Sequence, residues 1–163
     1  MESNPASHLG FEEKKQKLTV RARAKHGEVL EAMHHLEAAL ASAAPGRERA
    51  WVKRVIKELC KVSTLLDDHA RSAEADDGLL SMIEVAHARL AHRVDQLRRE
   101  NRDLRETAHS LEHRLAQDDE RNLPNFREVR HGISSMLNAA RHYRAAENDL
   151  VFEAFSTDIG IGD

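Results

Sequence analysis

The sequence predicts an all-α fold, an antiparallel up-down-up-down four-helix bundle, on three observations. Charged residues make up 33% of the chain and aromatics 4%, with 7 glycines and 3 prolines in 163 residues; this balance suits helices and poorly matches a sandwich or barrel. Four successive segments place apolar residues three and four positions apart, the period of an amphipathic helix. The breaks between them are short, and short connections make consecutive helices antiparallel neighbours, each burying its stripe against the next. The length is that of one domain. We divide it into an N-terminal extension (1–18), the bundle (19–155) and a C-terminal tail (156–163).

The first segment runs from about Thr19 to Ala43, with Ala22, His26, Val29, Leu30, Met33, Leu36 and Leu40 on one face, and stops at Ala44-Pro45-Gly46. His26 falls inside that stripe. The second runs from about Arg47 to Ala73 and directs Trp51, Val52, Val55, Ile56, Leu59, Val62, Leu66 and His69 inward. The third extends from Leu79 to about Gln117 through Ile83, His87, Leu90, Val94, Leu97, Asn101, Leu104, Ala108, Leu111 and Leu115. It would be far longer than its neighbours, so a break is expected near Val85 to Ala88, leaving a short connecting helix before the main one. Asp118, Asp119 and Glu120 mark the next turn. The fourth segment begins at Leu123 or Pro124, with Pro124 in the first turn, and carries Phe126, Val129, Ile133, Met136, Leu137, Ala140, Tyr143, Glu147 and Val151 inward to about Phe155.

Composition also excludes several function classes. The 25 basic residues are interleaved with 28 acidic ones, net charge −3, which leaves no electrostatic footprint for a nucleic-acid backbone. No run approaches the roughly 18 apolar residues of a membrane helix, and Met1 to Phe11 lacks a signal-peptide core. The single cysteine, Cys60, has no internal disulfide partner and reads as a small buried hydrophobe, which suits a reducing, cytoplasmic setting. There is no Gly-rich phosphate loop, nucleophile elbow or zinc-type Cys/His spacing. A binding protein is therefore expected rather than a catalyst.

A short pattern occurs twice: His69-Ala70-Arg71-Ser72-Ala73-Glu74 and His142-Tyr143-Arg144-Ala145-Ala146-Glu147, both H-x-R-x-A-E. Imidazole nitrogen and carboxylate oxygen are usual ligands for iron, manganese and zinc, and two His/Glu pairs on two helices can build a metal site inside a bundle. The second and fourth helices of such a bundle run the same way and lie diagonally across the core, so the two copies become opposite walls of one pocket. Each pair spans i to i+5, about 500° of rotation or about 140° net, so His and Glu cannot share one helix face as an i+4 pair would, but they can flank the inward direction and reach a central ion from either side. The other reading is of common helical residues on solvated faces, and Arg71 and Arg144 read as solvated arginines.

With these residues in place, the chain resembles the hemerythrin-like, HHE cation-binding family of four-helix bundles over roughly Lys25 to Phe155. The family carries a His on the first helix, His-x-x-x-Glu on the second, His-x-x-x-His or Glu-His on the third and His-x-x-x-x-Asp or Glu on the fourth, together holding a di-iron centre. His142 and Glu147 meet the fourth-helix pattern, and Lys25-His26-Gly27-Glu28 best matches the first, with His34 and His35 less well placed. On the second helix His69 is followed by Ala73 where the bridging Glu is usual, with Glu74 one step on. On the third, Leu97-Arg98-Arg99-Glu100-Asn101 looks like the family's Leu-x-x-Glu-His with Asn101 in the ligand position and Arg105 following; His87 and His92 are the only nearby substitutes.

The resemblance implies a metal set of His26, His69, Glu74, His142 and Glu147, with His34, His87 and His92 as weaker alternatives. It implies non-haem iron, one ion or two, and a small diatomic ligand such as dioxygen or nitric oxide, or peroxide, bound for storage, sensing or detoxification. Two alternatives stand beside it. One is a metal-free, degenerate hemerythrin-like scaffold or interaction protein whose inward His, Asn and Glu hydrogen-bond one another. The other concerns the tail, Ser156-Thr157-Asp158-Ile159-Gly160-Ile161-Gly162-Asp163, which resembles the short Leu/Ile-Gly cargo tags of encapsulin shells but departs from them in its acidic end. Homo-oligomerisation is left open.

Overall fold

The computed structural model describes residues 5–42, 45–117 and 124–156. Among these the chain is all-α: α1 (Pro5–Ala41), α2 (Glu48–Glu74), a short α3 (Leu79–Ala86), one 3-10 turn (Ala88–Leu90), α4 (Ala91–Ala116) and α5 (Phe126–Ser156). The expected turn at 118–123 and the cargo-like tail after Ser156 lie outside the described residues. None of the described helices is long and apolar enough to cross a membrane.

The first helix begins at Pro5 rather than near Thr19. Pro5 occupies the first helical position, where a missing N–H costs nothing, and Glu12 to Lys17 are strong helix formers. Periodicity hides this stretch because its inward stripe is thin: Leu18 and Ala22 pack partly against the core, and the Lys15 ammonium lies 4.6 Å above the Phe155 ring. The third segment breaks at His87, whose non-helical backbone (φ −133, ψ 75) separates α3 from the 3-10 turn, inside the 85–88 window expected. Pro124, expected in the first turn of the last helix, precedes it instead. Asn125 supplies the cap, its Oδ1 accepting from the N–H groups of Arg127 at 3.1 Å and Glu128 at 3.4 Å.

The long helices pack α1 on α2, α2 on α4 and α4 on α5, whereas α1 and α5 touch only lightly. One continuous core runs through them, and Leu36, Leu59, Ile83, Ile133 and Leu150 are wholly excluded from solvent, each contributing about 1.5–3 kcal/mol by burial. Trp51 closes one end, edge-on to Phe126 at 5.1 Å. Side-chain bridges then fix register. Asp67 on α2 accepts from Arg105 Nε at 2.7 Å and pairs with His109 at 2.9 Å on α4. Glu153 on α5 binds Arg89 and Arg93, and Glu37 on α1 binds Arg141 on α5.

Two glycines occupy opposite environments. At Gly78, between α2 and α3, an added Cβ would stand 2.5 Å from the Ala73 carbonyl oxygen and 2.6 Å from that of Ser72, while Gly27 on α1 faces open space. Gly78→Ala is accordingly expected to destabilise by about 1–3 kcal/mol through backbone displacement. Gly27→Ala should stabilise by about 0.5–1 kcal/mol through helix propensity. Urea-unfolding midpoints of the two variants beside the parent check both signs.

Candidate metal centre

Three helices each deliver one buried donor to a single point. On α1, His26 continues the stripe of Val29, Met33 and Leu36; on α2, His69 continues that of Val62 and Leu66; on α5, Glu147 lies between Tyr143 and Leu150. Their exposures are 9%, 5% and 1%. A carboxylate so deep requires hydrogen-bond donors, because unpaired burial of its charge costs several kcal/mol.

Those donors are present. His26 Nε2 bonds Glu147 Oε2, and His69 Nε2 bonds the other oxygen, Oε1, at 2.9 Å. The Tyr143 hydroxyl also donates to Oε1 at 3.3 Å and in turn accepts from Asn101 Nδ2 of α4 at 3.4 Å. The His26 and His69 rings lie 4.9 Å apart, centre to centre, tilted by 47°, and Tyr143 meets His69 edge-on at 6.1 Å. Each of the four long helices thus contributes to one polar network in an apolar core.

Electrostatics follow from this packing. Burial alone would raise the Glu147 carboxyl, but the hydrogen bonds from His26 and His69 and the attraction of the two rings outweigh it and hold the group at about 2, against an ordinary 4.5. Tyr143 moves the other way: burial first, then the Glu147 charge and hydrogen bond, push it well above 10, with a smaller push from Glu74. Tyr143 therefore stays a protonated donor through the neutral range, in which Glu147 is an anion.

One ligand atom from each of His26, His69 and Glu147 can be chosen so that all lie within 4.8 Å of one another. Two imidazoles and one carboxylate is a donor set of non-haem iron and zinc sites. The fit has two further signs. Asn101 Oδ1 is buried without a hydrogen-bond partner among the described residues, and a cavity of about 20 Å³ lined by His69, Glu147, Ala73 and Leu79 has room for about one water-sized ligand.

The other expected donors lie elsewhere. His142 is exposed on the outer face of α5, and Glu74, half-buried at the end of α2, reaches the network only through its charge on Tyr143. His34, His35 and His92 are exposed; His87 is half-buried at the α3 break. The repeat therefore splits: its first copy sends in the histidine, its second the glutamate. Tyr143 lies in the core, as its place in the inward stripe predicts, and its spacing of four from Glu147 is the signal that it can also reach that carboxylate.

Because Glu147 is held below its ordinary value, its contribution is present above about pH 4.5 and is lost as the pH falls toward about 2, a loss of about 3 kcal/mol. Urea midpoints of metal-free protein across this range should show the decline, and Glu147→Gln should flatten it. Comparison with protein-family models, curated proteins and solved structures returns no match to this chain; the chemistry of the site therefore follows from its own donors.

Proposed function

We propose that this chain is a hemerythrin-like bundle that binds one non-haem iron ion through His26, His69 and Glu147 and uses it to bind or sense dioxygen, nitric oxide or peroxide. The observation that carries the reading is the convergence of two imidazole nitrogens and one carboxylate, all buried, from three helices. Order of pairing supports the up-down-up-down topology. His26 meets Glu147, Glu37 meets Arg141 and Ser42 meets Arg130, so α1 and α5 run oppositely. Arg93 with Glu153 and Asn101 with Tyr143 give α4 and α5 the same relation.

Iron held by two imidazoles and one carboxylate keeps coordination positions for a small ligand. The chain's own residues do the rest. Glu147 and the two imidazoles bind, Tyr143 orients the carboxylate through Oε1, and the surrounding Leu79, Leu150 and Ala73 exclude water. Three donors suit one ion; the larger set that a pair of irons takes is not assembled among the described residues. Metal binding also competes with the hydrogen bonds that already satisfy Glu147, and the metal-free scaffold draws its support from them.

Protein purified without a polyhistidine tag and loaded anaerobically with ferrous iron should hold about one iron per chain by mass spectrometry. Its optical spectrum should change on addition of nitric oxide. His69→Ala and Glu147→Gln should lose the ion, whereas His142→Ala and Glu74→Gln should retain it. A parent protein that stays folded and takes up no ferrous iron overturns the proposal and leaves the scaffold reading.

A further inference from the structure

The lightly packed seam between α1 and α5 contains a groove of about 790 Å³, within the range of small-molecule sites. Its walls are two helical stripes: Thr19, Ala22, Arg23, His26 and Gly27 on α1 face Arg144, Asn148, Val151, Phe152 and Phe155 on α5, with Leu79 at its edge. The two sides differ in kind. Leu79, Val151, Phe152 and Phe155 form an apolar wall, and Phe152 is 74% exposed. The chain has only 4 phenylalanines, and two of them line this groove without closing it.

The cationic groups point to the ligand. Arg144 Nε is buried without a hydrogen-bond partner among the described residues. Stranding a guanidinium donor in this way is costly unless something beyond the described residues completes it. Arg23, on the facing helix, makes no hydrogen bond or ion pair among the described residues, and against these two guanidiniums the lining offers one carboxylate, Asp149. A planar guanidinium matches a carboxylate through two parallel hydrogen bonds. Inorganic anions would use the arginines and leave the aromatic wall idle; a neutral lipid would use the wall and leave the arginines unpaired.

We infer that the α1/α5 groove binds a small amphipathic carboxylate, its head on Arg144 and Arg23 and its apolar body along Phe152, Phe155 and Leu79. The missing side chain at Gly27, where an added Cβ would meet nothing within 4 Å, leaves the space for that body. The site does not depend on an ion at His26, although an occupant would lie beside that ring.

The test uses the full chain, treated with chelator so that metal loading plays no part, and decanoate below its micelle concentration as the probe in calorimetric titrations. Decanoate should bind, with decanol and decylammonium at least about tenfold weaker. Arg144→Gln should weaken decanoate about tenfold or more, and Gly27→Leu, which fills open space, should block it while keeping the parent's helical signal and melting at or above the parent's transition. Absence of decanoate binding, or equal binding of decanol and decylammonium, or binding unchanged by both substitutions, overturns the assignment. Loss of iron uptake with decanoate binding intact would overturn the metal proposal alone.

Discussion

The arrangement of the helices turns on one buried anion. Glu147 is 1% exposed, and the cost of placing its charge in the core is offset only while His26, His69 and Tyr143 all reach it. Sliding a helix by one residue moves a side chain about 1.5 Å along the axis and about 100° around it. Any such slip of α1, α2 or α5 would strand the carboxylate. Apolar packing tolerates several registers; this network tolerates one. Its value is therefore better described as selection of a single packing than as gross stability.

The same carboxylate explains how α1 and α5 are joined. The inward stripe of α1 from Val29 to Leu40 is committed to the core it shares with α2, and little apolar surface remains for α5. Polar clasps bridge the seam instead: His26 with Glu147, Glu37 with Arg141, and Arg130 with the Ser42 carbonyl. Exposed pairs of this kind contribute little, so the buried clasp at Glu147 carries the seam. Between clasps the helices stand apart, and the resulting grooves are lined by residues of both. Openness beside the metal-type cluster is thus a consequence of joining two helices through point contacts rather than through a packed face.

Much of this was legible before the structure. The inward stripes place His26, His69, Asn101, Tyr143 and Glu147 correctly among the buried residues, because a buried polar residue in a regular apolar stripe is conspicuous. The short helix ending at His87 was legible from length alone. What misled was the duplicated H-x-R-x-A-E. Identity of pattern suggested identity of role, but helix phase differs: His69 is in step with Leu66 and Val62, whereas His142 is about 100° out of step with Tyr143. With the i to i+5 spacing, only one end of each copy faces inward. The early start of α1 was hidden for another reason, since helix formers such as Glu12 and Lys17 sustain a helix without an apolar stripe to announce it.

The positions at which the sequence departs from the hemerythrin-like pattern it resembles are each absorbed by packing, and this favours one ion over two in the proposed site. Ala73, where the family carries its bridging carboxylate, sits under the Gly78 turn and lines the hollow beside Glu147; Glu74, one position on, is rotated out of the stripe. Asn101, where the resemblance implies a ligand, spends its amide donor on Tyr143, and Arg105 turns outward to Asp67. Those side chains now fix Tyr143 and brace α2 against α4, tasks that a second set of donors could not perform while holding an ion. Among the described residues the donors that converge within reach of one ion are the two imidazoles and the carboxylate between them, which would exchange their mutual hydrogen bonds for it, and the cavity beside His69 and Glu147 matches one small ligand in size.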